Sequence, residues 1–427
     1  DISIFVYNLK DGNIDINIKL KYHSSGIRVD QEASWVGLGW NLNLGGIITQ
    51  HINGLDDRYD TYFKSGLPEE IDAFNDAEKY SKAFSFNDFF YRSVNTFEEL
   101  NSGELVIYSD ILRGQYKPDK FTFNFFNNRG EFYVDYRDHS AHIRKPTSNL
   151  KIKKINDSYV EGLKDEGWLI TDEKGIKYIF NMIELVSCNI SNPDGTFHSS
   201  RNYYLTKVEY PNGEYIEYEY TKSKKEVTTI PQPVQGYSIP GVYVVYNSNC
   251  SQDPEIRQVR LGGSEIRHYI YSYHPIYLSK VSTSNFEIVL NRNDDRVDIT
   301  GEEKLENIIV RDKLSNKTKQ FTFQYDYFIG ELKNEAQFTS GTDYSSDMLK
   351  KRLKLISFGE EGMNRYYFYY NEKVTFPYKT SNSRDYWGFY NGMNNTSLKP
   401  NVRKYTRYNT FNVEFKNNWG DGNRGCN

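Results

Sequence analysis

Apolar and polar residues alternate at a period of two through most of this sequence, and this constrains the fold more than any other feature. The segment IDINIKLKY (14–22) places five apolar side chains on one face and four polar side chains on the other. Successive side chains of a strand point to opposite faces, so the pattern predicts strands with one dry and one wet face. The 37 Tyr and 26 Phe residues favour the same half-buried surfaces. We therefore predict an all-β protein.

A loose repeat of strand, polar turn and aromatic strand recurs along the chain. The copies are DKFTFNFFNNRGEFYVDY (119–136), WLITDEKGIKYIF (168–180), YLTKVEYPNGEYIEYEY (204–220), LENIIVRDKLSNKTKQFTFQYDY (305–327) and LKLISFGEEGMNRYYFYY (353–370). Their turns are predicted at 127–130, at 172–175, at Asn212-Gly213, at Ser315-Asn316 and at 360–362. Asn212-Gly213 is a strong signal for a two-residue turn in which both residues take positive φ. Because one hairpin cannot bury both faces, we predict that these hairpins stack into a strongly twisted, curved sheet.

Residues 68–92 interrupt the strand pattern. They open with Pro and two Glu, and they carry apolar residues at helical spacing, namely Ile71, Phe74, Ala77 and either Tyr80 or Ala83. We predict a helical insertion here and divide the chain into three regions. These are an N-terminal β segment (1–67), the helical insertion (68–103) and the hairpin region (104–427). Because Asp1 opens inside a strand-like pattern, we also expect further chain ahead of it.

Charge and cysteine content exclude several classes of protein. A formal net charge of −4 argues against a nucleic-acid partner, because proteins that bind the negatively charged phosphate backbone usually carry an excess of basic residues. No stretch approaches the roughly 18 apolar residues that a membrane helix needs, and no signal peptide is visible. The three Cys form no CxxC pair, which disfavours a zinc or redox site. Cys188 and Cys250 would pair only in an oxidising compartment, and the sequence leaves that open.

Few residues suggest chemistry. Asp138, His139 and His142 form the one local group that resembles a ligand or acid/base set, but a metal site needs a third convergent ligand. The acidic groups at 56–60 and 294–298 do not fit a calcium loop, so we interpret them as solvated turns. No G-x-S-x-G motif occurs. The sequence therefore predicts no catalytic residue, no metal site and no cofactor.

Two segments resemble parts of one known family. The segment LKYHSSGIRVDQEASWVGLGWNLNLGGIITQ (20–50) resembles a segment ahead of the shell in toxin-complex B-like proteins, and more closely one in large Rhs-like surface proteins of Bacteroidota. Gln50 stands where that family usually carries Arg. The segment SRDYWGFYNGMNN (383–395) resembles a second element of the same Bacteroidota proteins.

The hairpins resemble degenerate YD repeats, with Tyr325-Asp326 as the one literal Tyr-Asp pair. The resemblance implies the N-terminal region of an Rhs/YD-repeat protein, in which stacked antiparallel hairpins form a shell segment. In relatives the shell encloses a C-terminal effector, often a toxin. The resemblance further implies that a set of residues fixes a tight corner of this wall, namely Trp35, Gly37, Leu38, Gly39, Trp40, Gly45 and Gly46.

The implied function is therefore a non-catalytic, encapsulating scaffold of a secreted or cell-surface protein of a Gram-negative bacterium. Its expected partners are the remainder of its own chain and the outer-membrane secretion machinery, such as a type IX system. A glycan- or protein-binding adhesin is the alternative, with Trp387 and Tyr390 as the sugar-stacking pair, although Trp387 would equally serve as a packing knob. An enzyme would need a long-range constellation in a polar-lined pocket.

Overall fold

The computed structural model of this chain describes residues 2–52, 119–135, 140–145, 149–155, 166–190, 196–237, 264–331, 344–385 and 387–395, with 398, 402–403 and 416–417. A small sheet contains β1 (Ile2–Asp11), β2 (Ile14–Tyr22) and β3 (Trp40–Asn43). The predicted helical insertion lies outside the described residues, and nothing in the structure tests the three-region division.

A large sheet contains eighteen strands among the described residues. Its first nine are β4 (Gly46–His51), β5 (Lys120–Phe125), β6 (Asn128–Val134), β7 (Ala141–Lys145), β8 (Lys151–Ile155), β9 (Gly167–Thr171), β10 (Lys177–Ile190), β11 (Thr196–Glu209) and β12 (Tyr215–Lys222). The others are β13 (Val227–Thr228), β14 (Gln232–Tyr237), β15 (Ser264–Tyr273), β16 (Ile276–Ser282), β17 (Phe286–Asn293), β18 (Lys304–Asp312), β19 (Thr318–Ile329), β20 (Lys351–Glu360) and β21 (Tyr366–Tyr367). Helix α1 (Ser346–Lys350) precedes β20, and β22 (Val402–Arg403) pairs with β23 (Lys416–Asn417).

The ladders of the large sheet form a branched, open network. One arm runs from β11 through β12, β16, β17, β18, β19 and β20 to β21. A second arm runs from β11 through β4, β5 and β6 to β7. Strand β10 pairs with β11 along one edge, while its other edge pairs first with β9 and then with β15. The strand edges therefore change partners near the middle of β10 and β11.

The larger of two apolar clusters among the described residues combines side chains of both sheets. The inward face of β2 is at most 2% exposed and consists of Ile14, Ile16, Ile18 and Leu20. The same cluster contains Phe132 from one arm of the large sheet and Phe358 from the other. Both arms reach this core because the large sheet curls around the small one. The prediction of an all-β fold of antiparallel hairpins in a curved sheet is confirmed.

The five predicted copies each form an antiparallel hairpin, while two turns differ from their predictions. Of Asn212 and Gly213, only Gly213 takes positive φ, 88°, because the loop is longer and the Tyr210 N–H donates across it to the Glu214 carbonyl. The β5–β6 turn lies at residues 126–127 rather than 127–130, with Phe126 at φ 49°. Residues 26–29 form a loop that makes an isolated bridge, from Arg28 to Phe389.

Candidate functional site

The two segments that carry the family resemblance, 20–50 and 383–395, pack against each other. The Val29 N–H donates to the Gly388 carbonyl at 2.9 Å. The Arg384 guanidinium binds the Asp30 carboxylate at 2.9 Å across 354 positions of the chain. This contact depends on the tertiary fold, since neither segment pairs along its length with the other in a continuous ladder.

Arg352 at the start of β20 joins the first of these segments to Pro377, which lies just ahead of the second. Its side chain is 0% exposed, and its guanidinium donates to the Val29 carbonyl at 2.6 Å and to the Pro377 carbonyl at 3.2 Å. The guanidinium also lies 5.1 Å from the ring centre of Phe376, within the range of a cation–π contact. Burial lowers the pKa of Arg352 to about 10. A buried, hydrogen-bonded cation in this position fixes the spacing of the chains around it.

A buried ion pair lies beside Arg352. Arg296 and Asp298 are both 0% exposed in their side chains and form two hydrogen bonds of 3.0 Å. The Asp298 carboxylate also accepts the Leu353 N–H at 2.9 Å. Burial alone would raise the pKa of Asp298, but the Arg296 charge and hydrogen bonds, the Lys379 charge and the Leu353 N–H together hold the pKa below its ordinary value. Lys379, 1% exposed, bridges the Asp298 carbonyl and the Glu32 carboxylate.

The predicted corner residues divide between two places. Gly37 and Gly39 both take positive φ, and a Cβ at Gly39 would lie 2.8 Å from the Tyr22 ring. Leu38 is 1% exposed and its N–H donates to the Leu353 carbonyl at 2.8 Å. The Trp40 indole donates to the Tyr370 hydroxyl at 2.8 Å. Trp35, Gly45 and Gly46 instead line a pocket, so the seven residues do not form one site.

Trp387 and Tyr390 lie at the surface end of the 383–395 segment. The Trp387 side chain is 64% exposed, whereas Tyr390 is half-buried and makes an isolated bridge with Arg384. Phe389, between them, lies under Gly26, where an added Cβ would meet its ring at 3.2 Å. Sugar binding by this pair stays a prediction.

The acidic group at 294–298 was interpreted as a solvated turn, and this is wrong for Asp298. Asp294 binds Lys225 at 2.8 Å and Asp295 binds Lys304 at 2.6 Å, so the three carboxylates face different cations. Within the described part of the chain, no group of three or more His, Cys, Asp or Glu is placed to hold a metal ion.

The remaining sequence candidates are only partly described. His142 is exposed on β7 and stacks on Tyr133 with ring centres 5.4 Å apart. Asp138, His139 and the acidic residues at 56–60 lie outside the described residues. Cys188 is buried on β10, and Cys250 lies outside the described residues, so the pairing stays open. No helix among the described residues is long and apolar enough to cross a bilayer.

A cavity of about 620 Å³, which we call the central pocket, opens where the strand edges change partners. Strand β10 pairs with β9 up to Phe180 and with β15 from Val186, and Glu184 lies in the gap. Strand β11 pairs with β4 up to Tyr204 and with β12 from Lys207. Because the neighbouring strands diverge at these points, side chains rather than backbone line the space between them.

Three carboxylates line the central pocket, namely Glu32, which Lys379 binds, Glu184 and Glu302. Glu184, 7% exposed, accepts from the Asn202 amide at 2.7 Å, the Tyr204 hydroxyl at 3.0 Å and the Ile276 N–H at 3.1 Å. Glu302 accepts the Tyr273 hydroxyl at 2.8 Å and also the Tyr277 hydroxyl.

These carboxylates also shape the acid–base properties of the pocket. Burial raises the pKa of Glu184, although its hydrogen-bond donors act in the opposite direction. The Tyr273 and Tyr277 hydroxyls have raised pKa values, because they are buried and lie beside the Glu302 charge. Both therefore stay protonated and donate.

The sequence carried partial signals for these groups. Glu184 interrupts the apolar run MIELV within a long strand, and Arg296-x-Asp298 has the period-two spacing that places both side chains on one face. Nothing in the sequence marks Arg352, because it stands among partly buried lysines in KKRLK. Its partners, Val29 and Pro377, are distant in sequence.

The fold is similar to several solved structures. The N-terminal domain of effector protein SpvB from Salmonella typhimurium strain LT2 matches at 12% identity and TM-score 0.36, over 86% of this chain and 99% of that one. A chain of the Photorhabdus luminescens Tc holotoxin pore matches at 12% identity and TM-score 0.39, and TcdB2-TccC3 at 11% and 0.38. This chain spans only 15% and 16% of those two chains. No protein-family model and no curated protein sequence matches.

Proposed function

We propose that this chain is a non-catalytic structural segment of a secreted or cell-surface Rhs-like protein. It would open a shell that encloses an effector carried elsewhere in the full chain. One observation carries the proposal. The two segments of family resemblance pack together through Val29 with Gly388 and Asp30 with Arg384. Beside them lies Arg352, whose guanidinium donates to the carbonyls of Val29 and Pro377. At 0% exposure this group holds chain segments together and does not meet solvent.

The strand at one edge of the large sheet, β21, supports a sheet that continues into further hairpins. Strand β21 is two residues long, and its Tyr366 and Tyr367 side chains are 55% and 59% exposed. An uncovered strand edge is a template for a further strand. In the proposed shell, a following hairpin would pair there and cover both rings.

The complete open reading frame is the first test. We expect it to encode further hairpin repeats after Asn427 and then a distinct C-terminal effector. A frame that ends near Asn427, or that continues into an unrelated membrane or catalytic domain, would overturn the proposal.

The second test measures enclosure in the full-length protein. Arg352→Met should open the wall, so that proteinase K cleaves the C-terminal region faster than in wild type. The matched control is Arg311→Met, because Arg311 is exposed on β18 and bonds only the Asn316 side chain among the described contacts. Equal cleavage of the C-terminal region in all three proteins would contradict a shell function.

An adhesin is the second candidate, because Trp387 presents a 64% exposed indole at the surface. A glycan array with wild type and Trp387→Ala tests it. A glycan that binds wild type but not Trp387→Ala would support the adhesin, and an array without any bound glycan would exclude it.

An enzyme would be excluded if the structure lacked a polar-lined pocket. The central pocket is polar-lined, so this exclusion does not apply. The absence of catalysis stays part of our proposal.

A further inference from the structure

We propose that the central pocket binds an organic dication, a linear molecule with an ammonium group at each end. This inference goes beyond the structural function proposed above and stands independently of it. It rests on the duplicated arrangement of carboxylate, tyrosine hydroxyl and aromatic pair in the pocket.

The first half-site is built around Glu184. Its carboxylate accepts from the Tyr204 hydroxyl, and the Tyr204 ring packs against Tyr220 with centres 5.4 Å apart. The Tyr220 hydroxyl is committed to the Leu205 carbonyl at 2.7 Å, so this ring is fixed in place. An ammonium group beside Glu184 would therefore meet a carboxylate and the faces of held aromatic rings.

The second half-site repeats this pattern around Glu302. Its carboxylate accepts from the Tyr277 hydroxyl, and the Tyr277 ring lies 6.0 Å from Trp35. Arg292 covers one face of Tyr277 at 5.0 Å, and its guanidinium is paired with Glu303 rather than with Glu302. Arg292 therefore forms its salt bridge with Glu303 and leaves the Glu302 carboxylate to its tyrosine donors.

Electrostatics favour a cation over a neutral ligand. The donors to both carboxylates are neutral hydroxyl, amide and backbone groups, and no salt bridge of Glu184 or Glu302 is found in the described part of the chain. An ionised carboxylate offers about four acceptor positions, and Glu302 uses two of them in the described contacts. A cleft lined by one sign of charge concentrates ligands of the opposite sign. The third carboxylate of the lining, Glu32, is already bound by Lys379.

The size of the pocket favours an organic molecule. A volume of about 620 Å³ far exceeds a metal ion and falls within the range of roughly 300–1,000 Å³ typical of small-molecule sites. Two acidic half-sites with aromatic walls fit two ammonium groups joined by an alkyl chain. A free polyamine and a pair of lysine side chains on a peptide share this chemistry.

Isothermal titration calorimetry at low ionic strength tests the inference on the whole chain. The probes are 1,5-diaminopentane, spermidine, butylamine, the peptide acetyl-Lys-Lys-amide, maltose and magnesium chloride. We expect the diamine to bind at least about tenfold more tightly than butylamine, because the monoamine fills one half-site only. Tighter binding of the peptide than of either free amine would assign the ammonium groups to a polypeptide; the reverse would assign them to a polyamine.

Three variants separate the pocket from general surface charge. Glu184→Gln and Glu302→Gln should each weaken diamine binding at least about tenfold, close to the level of butylamine. Glu219→Gln should leave it unchanged, because Glu219 is exposed beside Tyr220 and binds Lys280 outside the pocket. Glu302 is only partly buried, so its variant keeps the inference testable if Glu184→Gln does not fold; circular dichroism checks each fold.

Several outcomes would overturn the inference. These are no heat with any amine, equal affinity for butylamine and the diamine, or equal loss in Glu219→Gln and Glu302→Gln. Full competition by magnesium chloride at the same ionic strength would show that the carboxylates attract any divalent cation and do not select an organic dication. Maltose binding that survives both pocket substitutions, without amine binding, would assign the pocket to neutral sugars instead.

Discussion

The packing of the corner around Gly39 can be measured separately from its backbone strain. Gly39 and Gly362 take nearly the same φ, 77° and 76°, so an alanine meets the same left-handed strain at either position. That strain costs roughly 1–2 kcal/mol. The surroundings differ. A Cβ at Gly39 would lie 2.8 Å from a Tyr22 ring carbon, whereas nothing lies within 4 Å of a Cβ at Gly362.

The Tyr22 ring cannot move away freely, because it packs against Trp40 with ring centres 5.0 Å apart. Forcing an extra methyl group into such packing costs about 1–3 kcal/mol. We therefore expect Gly39→Ala to destabilise the chain by about 2–5 kcal/mol and Gly362→Ala by about 1–2 kcal/mol. The gain from reduced entropy of the unfolded chain is the same for both variants and cancels.

Urea denaturation followed by tryptophan fluorescence measures the difference, as the shift in midpoint multiplied by a common slope. If the two alanine variants differ by less than about 0.5 kcal/mol, the corner is not tightly packed and the reasoning is wrong. Gly39→Val adds a branched side chain at the same place, so we expect it to unfold or aggregate. If Gly39→Val were secreted and melted as wild type does, the proposed tight packing around Gly39 would equally be refuted.

Three further predictions follow from the buried ion pair and the exposed indole. Asp298→Asn should cost about 3–5 kcal/mol in urea denaturation, because it leaves buried Arg296 without its paired carboxylate, while Asp294→Asn at the surface should leave the midpoint almost unchanged; equal shifts in midpoint would contradict the assignment. The pKa of Asp298 is held below its ordinary value of 3.8, so its contribution is complete above that pH and is lost as pH falls through the lowered pKa. Acid titration by circular dichroism should then show wild type losing more stability than Asp298→Asn below about pH 4, whereas parallel curves would exclude this linkage. Trp387→Ala should leave the melting temperature unchanged, because the indole is 64% exposed, and a clear drop would mean that it packs.

Much of the fold could be predicted because its signals are local. In residues 14–22 the alternation alone identifies the buried face, and Ile16 and Ile18 are at most 2% exposed. The hairpin at Ser315-Asn316 was also predictable, and Asn316 takes φ 54°. Turn details were less accessible. Whether Asn212 or Phe126 takes positive φ depends on how the loop closes against its strands, which the dipeptide alone does not determine.

The sequence by itself determined strand positions, the dry face of the small sheet and the hairpin units, because side-chain alternation and turn chemistry act over a few residues. Only the tertiary structure decided that Arg352 joins two distant segments and that Asp298 is buried. It also decided that Glu184 and Glu302 face one pocket. Each of these depends on where strands change partners and on which side chains burial brings together. Burial strengthens interactions between groups that are far apart in sequence, and no local pattern records that proximity.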